Sequence, residues 1–317
     1  MSFIEQKKAD SQNYLSFVKK VTFMGRTFVI KKHIGKEITT ISKEQYLLNN
    51  IDEISDCEFK FKSGFLDKVA DQLSFNPSLP SHVENESVRL NNLIEAKNCG
   101  KLAYSNFAKE FIFNSNNIEG SRIPREKVIE IIDTGDTRYI NRNEVREVAN
   151  SIKAFDYIKS GFKFDLPSIK RLYYILTDKL IMENGERYPR GFKKIQNIVG
   201  NSSTTSPDMV EMELLNLLSW YKQNIKKIHP LILAFEFHLR YEIIHPFSDG
   251  NGRTGRLIMN KILMRGGYFP VIVFQKNKTA YFNTIQKARD GMRKKYYQFL
   301  LEQANSTYDL MLKSGVL

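Results

Sequence analysis

Twelve consecutive residues hold the densest set of reactive side chains in the sequence: HPFSDGNGRTGR, residues 245–256. His245 is the group there that titrates near neutrality, which makes it a candidate general base. Asp249 offers the hard carboxylate oxygens that Mg²⁺ prefers when it bridges phosphates. The pair indicates a site where a base stands beside a metal-bound phosphate group.

The glycines and arginines of the same segment predict an anion site. Its glycines allow a close approach of the backbone at the start of a helix, where free N–H groups and the helix dipole attract negative charge. Arg253 and Arg256 are three residues apart, so they project from one face of the first helical turn. Because two arginines oppose the dipole at that end of a helix, a bound anion is needed to balance them.

Two common phosphate-binding motifs do not fit this segment. Residues 250–255 satisfy GxGxxG, but the preceding segment is long and helical, and no acidic residue follows about 20 positions later. Arg256 and Leu257 stand where a Walker loop needs Lys followed by Ser or Thr. The segment is therefore neither a dinucleotide fingerprint nor a P-loop.

The elements on either side of the loop are predicted to hold it rigidly. Residues 231–244 and 257–264 are apolar nearly all round, which indicates two helices buried at the centre of a bundle. We interpret Phe247 as an apolar anchor that fixes the loop to the core. A polar loop between two buried helices indicates a functional site rather than an ordinary surface loop.

At this point the sequence resembles a known family. Residues 245–256 match the signature HxFx[D/E]GNGRxxR of the Fic-domain family at every position. The similarity continues in GFKKIQNIVG, residues 191–200, which resembles the family's substrate-positioning flap and includes Ile198, Val199 and Gly200. The sequence MNKILMRGGYFPVIVF also follows the motif as it does in Fic proteins.

The resemblance implies Mg²⁺-dependent transfer of AMP from ATP to a hydroxyl group of a target protein. His245 would take the proton from the acceptor hydroxyl, and Asp249 would hold Mg²⁺. The phosphate-transferring Doc-like branch typically has Lys at the position of Gly252, so the glycine favours adenylyl transfer over phosphoryl transfer. The residues that would bind the phosphates are Gly250, Asn251, Gly252, Arg253 and Arg256.

The resemblance also gives candidate contacts to the nucleoside. The family's Tyr-Tyr pair and a later Asn fall on Tyr281, Phe282 and Arg289. Phe282 can still stack on a base, while Arg289 replaces an amide by a cation. The alternative is that Tyr281 and Phe282 are core aromatics of a helix.

A second motif lies ahead of the loop. NSNNIEG, residues 114–120, resembles the inhibitory motif [S/T]xxxE[G/N] of many Fic proteins, on a helix expected near residues 104–120. Ser115 and Glu119 are four apart and so share a helical face. A Glu119 carboxylate paired to Arg256 would occupy the donor group that should bind the γ-phosphate. The alternative is an ordinary capping or solvated carboxylate.

Three hypotheses for the function follow. The leading one is an autoinhibited protein adenylyltransferase that uses Mg²⁺ and ATP, acts on Ser, Thr or Tyr hydroxyls, and modifies itself. The second uses the same site in reverse, with Glu119 positioning water to remove AMP. The third is a nucleotide-binding interaction or regulatory protein, suggested by the net charge of +13. Neither nucleic acid nor a membrane is an expected partner, and the sequence leaves oligomer formation open.

The chain as a whole is predicted to be mainly α: a Fic-type helical bundle at residues 86–317 with a small β-hairpin flap, preceded by an α+β region at residues 1–85. In that region we expect a hairpin around Met24–Gly25–Arg26, a strand at residues 58–62, and a boundary loop at residues 76–81. The 317 residues contain only Cys57 and Cys99, so a disulfide framework or zinc site is not expected. Since neither a signal peptide nor a membrane span is recognisable, the expected location is the cytoplasm.

Overall fold

The computed structural model describes residues 2–9, 12–36, 41–66, 69, 78–182, 184–200 and 202–313. Helices dominate these residues, which confirms the mainly α fold expected from the sequence. The helices are α1 (Lys43–Asn49), α2 (Ile51–Ser63), α3 (Ser78–Ala96), α4 (Gly100–Ile118), α5 (Arg125–Thr134), α6 (Arg142–Ser160), α7 (Leu166–Leu176), α8 (Val210–Asn224), α9 (Pro230–Ile244), α10 (Asn251–Arg265), α11 (Lys278–Arg289) and α12 (Arg293–Lys313).

The N-terminal part of the chain is a three-stranded antiparallel sheet of β1 (Ser2–Ala9), β2 (Gln12–Phe23) and β3 (Arg26–Lys36). The predicted hairpin around Gly25 is confirmed, since Phe23 pairs with Arg26 across the turn. Phe23 itself enters the main core, where its ring packs edge-on against Phe65. A small second core lies beneath the sheet and contains Phe17, Ile30, Leu47, Ile54 and Ala96.

The strand predicted at residues 58–62 is wrong, because these residues lie within α2. A strand would place Phe59 and Phe61 on one face and the three charged residues on the other. In the structure Glu58 and Lys62 are the buried members, 6% and 3% exposed, and their charges pair at 3.2 Å. Lys19 of β2 completes this network at 3.0 Å from Glu58. Glu58 and Lys62, four residues apart, thus place a buried ion pair on the inward face of α2.

The loop predicted at residues 76–81 is wrong at residues 78–81, which are helical. Helix α3 begins at Ser78, while positions 76 and 77 lie outside the described residues. Helix α3 also runs through position 85, and the division of the chain into 1–85 and 86–317 stays a prediction.

Two central helices, α9 and α10, form the middle of the bundle and pack against each other. Thirteen of the 15 residues of α9 are buried, as are 12 of the 15 residues of α10, which confirms the expectation from their apolar sequences. Helix α10 is further covered by α4, α6 and α7. The loop that joins α9 to α10 is therefore fixed at both ends by the core.

The predicted flap is also present as a two-stranded ribbon, β4 (Ile198–Val199) and β5 (Ser202–Ser203). Its strands pair antiparallel, with Val199 opposite Ser202. Among the helices that the structure describes, none combines the length and apolarity needed to cross a membrane.

Candidate active site

The loop after α9 starts with a special backbone conformation at His245. This residue ends the helix with φ 49° and ψ 64°, in the left-handed region that side chains other than Gly seldom adopt, and its N–H bonds to Tyr241 O at 2.9 Å. Two residues later Phe247 is fully buried and stacks on Tyr173, with ring centroids 3.9 Å apart. Phe247 thus anchors the loop as expected, and the anchor fixes where the His245 ring lies.

The side chain of Asn251 closes the loop on itself. Its Oδ1 accepts a hydrogen bond from Phe247 N and its Nδ2 donates one to Phe247 O, both at 2.8 Å. Helix α10 starts at Asn251, and no side chain among the described residues caps its first turn. Because the side-chain amide of Asn251 is used for structure, Asn251 can bind an anion only through its backbone N–H.

A carboxylate from another helix occupies the mouth of this site. Glu119, at the C-terminal end of α4, accepts a hydrogen bond from Arg256 Nη2 at 2.7 Å. Its Oε1 lies so close to Gly252 that a Cβ at that position would overlap it. Arg256 also donates from Nε to Ser115 Oγ at 3.0 Å and from Nη2 to Ser115 O at 2.9 Å. The structure therefore brings Ser115 and Glu119 to Arg256, which lies 141 and 137 positions after them in the sequence.

The other arginine of the loop is held by a residue that the sequence did not reveal. Arg253 is 3% exposed and donates from Nη1 to Glu147 Oε1 of α6 at 2.9 Å. Burial raises the pKa of Glu147, and the Arg253 charge opposes that rise. Glu147 is 106 positions from Arg253, and no motif surrounds it, so only the packing of α6 against α10 could identify it.

Asp249 faces a polar groove of about 520 Å³. Its side chain is half exposed, and its Oδ2 accepts a hydrogen bond from the Tyr188 hydroxyl at 2.7 Å. Across the described residues, no three His, Cys, Asp or Glu side chains are grouped as a metal site. A single accessible carboxylate fits Mg²⁺, which is often held by one or two carboxylates together with substrate phosphates and water.

The His245 imidazole is largely shielded from solvent, with 16% of the side chain exposed. Burial, followed by the charge of Lys193, lowers the pKa of His245 to about 4, so the ring is neutral at pH 7. Its Nδ1 is buried and has no hydrogen-bond partner among the described residues. Glu242 Oε2 lies 3.9 Å from that nitrogen. Since Nδ1 points inward, Nε2 is the nitrogen available to a substrate.

The flap is attached to the loop by Lys193, another residue that the sequence analysis did not single out. Lys193 is 4% exposed, and its Nζ donates to Asn197 Oδ1 at 2.8 Å and to Ile244 O at 3.3 Å. Ile198 is 69% exposed, Val199 is partly exposed and Gly200 is exposed. The flap thus presents side chains to solvent while its base is fixed next to His245.

The predicted nucleoside contacts lie in different environments. Tyr281 is 1% exposed, and its hydroxyl lies 2.6 Å from His238 Nε2, which favours a structural role. Phe282 is 39% exposed and can be reached from solvent. Arg289 donates from Nη2 to Glu242 O on α9. That Tyr281 and Phe282 bind nucleotide stays a prediction.

Comparison with known proteins identifies this arrangement. The sequence model of the Fic/DOC family matches residues 164–263, which contain the loop, helix α9 and all but the last two residues of helix α10. Residues 164–263 of the chain thus form a Fic domain. The family resemblance of residues 245–256 is thereby confirmed.

Curated relatives of the Fic domain carry the name protein adenylyltransferase Fic. The one from Aedes aegypti is 30% identical over 213 residues, covering 64% of this chain and 41% of the relative. The one from Drosophila mojavensis is 27% identical over 247 residues, covering 73% of this chain and 47% of the relative. The chain thus spans less than half the length of these relatives.

Solved structures show the same Fic fold. A Fic family protein from Desulfovibrio desulfuricans G20 matches with a TM-score of 0.64 at 24% identity, covering 75% of this chain and 74% of that chain. A Fic domain containing signaling protein from Bacteroides thetaiotaomicron matches with a TM-score of 0.59 at 23% identity, covering 68% of this chain and 88% of that chain. Both likenesses concern the fold.

Proposed function

We propose that this protein is a Mg²⁺-dependent protein adenylyltransferase, which transfers AMP from ATP to a Ser, Thr or Tyr hydroxyl of a target protein and also to itself. In its resting state Glu119 inhibits it. The name of the curated relatives supports adenylyl transfer as the reaction. The site described above supports the assignment of the residues.

One observation carries the proposal: a protein carboxylate lies where an anionic substrate would bind. The Glu119 carboxylate contacts both the Gly252 backbone and the Arg256 guanidinium at the start of α10. Helix N-termini and buried arginines attract phosphate for the same reasons that they attract a carboxylate. The contact between Glu119 and Arg256 therefore supports both a phosphate site and its inhibition.

The proposed reaction is an in-line displacement at the α-phosphorus. The acceptor O–H bond breaks and its proton passes to Nε2 of neutral His245, while the oxygen forms a bond to the α-phosphorus. The bond from the α-phosphorus to the bridging oxygen breaks, and pyrophosphate leaves. The N–H groups of Asn251 and Gly252 and the charges of Arg253 and Arg256 stabilise the negative charge that develops on the phosphates.

Asp249 would hold Mg²⁺ at the groove, because its carboxylate is accessible there and its other hydrogen bonds fix its orientation. The ion, when bound with ATP, would neutralise phosphate charge and polarise the phosphoryl oxygens. Glu147 stays with Arg253 and keeps that guanidinium in place.

The proposal is tested by incubating the chain with Mg²⁺ and ATP labelled at either the α- or the γ-phosphate. We expect the α-label to appear on protein, weakly for the native chain and first as self-modification. Phosphoryl transfer would label the protein only from the γ-position. That result would overturn the proposal and the argument from Gly252.

The same residues support removal of AMP as a second candidate. Glu119 lies against Gly252, next to the phosphate site, where its carboxylate can orient water towards a bound adenylyl group. The two activities differ in their dependence on Glu119. Replacing Glu119 should increase the rate of AMP transfer but abolish the removal of AMP. Incubation of a premodified target with wild type and Glu119→Gly distinguishes them.

A further inference from the structure

Three buried polar atoms without partners among the described residues meet beneath His245. They are His245 Nδ1, Glu242 Oε1 and His238 Nδ1. Glu242 lies between the two rings on α9, with its Oε2 3.9 Å from His245 Nδ1 and its Oε1 3.9 Å from His238 Nδ1. Buried polar groups are nearly always hydrogen-bonded, so three such atoms in one place require an explanation.

A small movement of one carboxylate satisfies all three atoms. The Tyr281 hydroxyl lies 2.6 Å from His238 Nε2 and can donate to it, which leaves His238 with its proton on Nδ1, facing Glu242. If His245 also carries its proton on Nδ1, both rings donate to the Glu242 carboxylate. Hydrogen bonds of this kind are often long in a free enzyme and shorten when substrate binds.

The neighbouring helix is shaped around this carboxylate. A Cβ at Gly255 of α10 would lie 2.9 Å from Glu242 Oε1 and 2.9 Å from His238 Nδ1. A larger side chain at position 255 would therefore have to displace the carboxylate or the ring. The absence of a side chain at Gly255 leaves room for Glu242 against the catalytic loop.

We propose that Glu242 is a positioning residue for His245. The Glu242 carboxylate accepts a hydrogen bond from His245 Nδ1–H, so that the Nε2 lone pair faces the groove. The same carboxylate stabilises the imidazolium. This inference rests on the proposed function of His245 as the base. During transfer the acceptor proton moves to Nε2, the positive ring is held by the carboxylate, and the proton then leaves Nε2 for solvent. Glu242 itself stays ionised throughout.

The ionisation of Glu242 then makes the site sensitive to pH. Burial, followed by the charge of Glu119, raises the pKa of Glu242 to about 7. Since the ionised form is the active one, positioning is lost as pH falls through that value. Removing Glu119 lowers the pKa of Glu242, so the loss moves to lower pH. The titratable and charged groups that face this carboxyl are His238, Tyr241 and His245 of α9 and its end, Glu119 of α4, Arg256 of α10, Tyr281 and Arg289 of α11, and Tyr296 of α12.

The first test needs no turnover. In the full chain with ¹⁵N-labelled histidines, the His245 signals are assigned by their disappearance in His245→Ala. We expect the signals of the Nδ1–H tautomer at pH 8. As pH falls, protonation of Glu242 should shift these signals with a midpoint near pH 7. The shift should vanish in Glu242→Gln and move to lower pH in Glu119→Gly. It should persist in Glu236→Gln, a matched control, because Glu236 is also buried on α9 but pairs with Arg240 and Arg293.

The second test measures transfer in the Glu119→Gly background. Adding Glu242→Gln should lower kcat about 10- to 100-fold, less than the full contribution of a general base, and leave KM for ATP nearly unchanged. It should also remove the loss of activity with falling pH, which in this background lies below pH 7. An Nε2–H tautomer, or a pH-dependent shift that survives Glu242→Gln, would overturn the inference about Glu242. Absence of transfer in Glu119→Gly alone would overturn the proposed function and leave the tautomer result to decide the role of Glu242.

Discussion

Replacing Glu119 by Gly is the perturbation that most directly tests inhibition. In the structure Glu119 accepts a hydrogen bond from Arg256 Nη2 at 2.7 Å, and its side chain is 23% exposed while that of Arg256 is 1% exposed. The substitution removes the carboxylate that lies over Gly252. We expect the freed guanidinium to bind the γ-phosphate and the α-phosphate to settle in line with the acceptor hydroxyl.

The size of the effect follows from the contact that is lost. A hydrogen bond between charged partners contributes about 1.5–3 kcal/mol. At about 1.4 kcal/mol for each factor of ten, removing it should raise transfer about 10- to 150-fold, provided that the inhibited state dominates at rest. The estimate is for one charge-assisted bond, since one carboxylate oxygen contacts the arginine.

The assay is the rate at which label from α-labelled ATP appears on protein. Glu119→Gln keeps the shape but removes the charge, so its rate should lie between those of wild type and Glu119→Gly. Glu126→Gln, at an exposed carboxylate of α5, should leave the rate unchanged. Adding Arg256→Ala to Glu119→Gly should cancel the gain, because the released group is then missing. If Glu119→Gly changes neither transfer nor AMP removal, the inhibition argument is refuted and Glu119 is an ordinary helix-end carboxylate.

Three further predictions concern the loop. His245→Ala should abolish transfer and leave ATP binding largely intact, as measured by labelling and calorimetry, because the base acts on the acceptor; equal loss of both would identify His245 as a structural residue. Asp249→Ala should remove activity together with Mg²⁺ dependence, and turnover that still depends on Mg²⁺ would contradict its role as ligand. Phe247→Ala should lower the free energy of unfolding by about 3–5 kcal/mol, measured with denaturant, because the ring is fully buried and stacked. A loss below about 1 kcal/mol would show that the loop can refill the space. Phe28→Ala, at a partly exposed ring, serves as the control.

Prediction from the sequence worked best where the interactions are local. The burial of α9 and α10 follows from apolar side chains on all faces, and the start of α10 follows from the spacing of glycines within a single loop. It failed at residues 58–62, where two of the charged side chains, rather than the phenylalanines, are the buried ones. There Glu58 and Lys62 are buried because Lys19, from a strand far away in sequence, completes their pairing.

The sequence by itself placed the candidate base, the candidate metal ligand and the candidate anion site at a helix start within residues 245–256, because they lie in one continuous segment. The tertiary structure decided which groups act on that chemistry. Glu119, Glu147 and Tyr188 reach the loop from α4, α6 and the segment before the flap, and each pairs with a loop side chain. These partners are separated by 61 to 137 positions, so their contacts depend on how helices pack rather than on any local pattern. Glu242 is three residues from His245, yet only the packing of Gly255 and His238 around its carboxylate distinguishes it from other acidic residues.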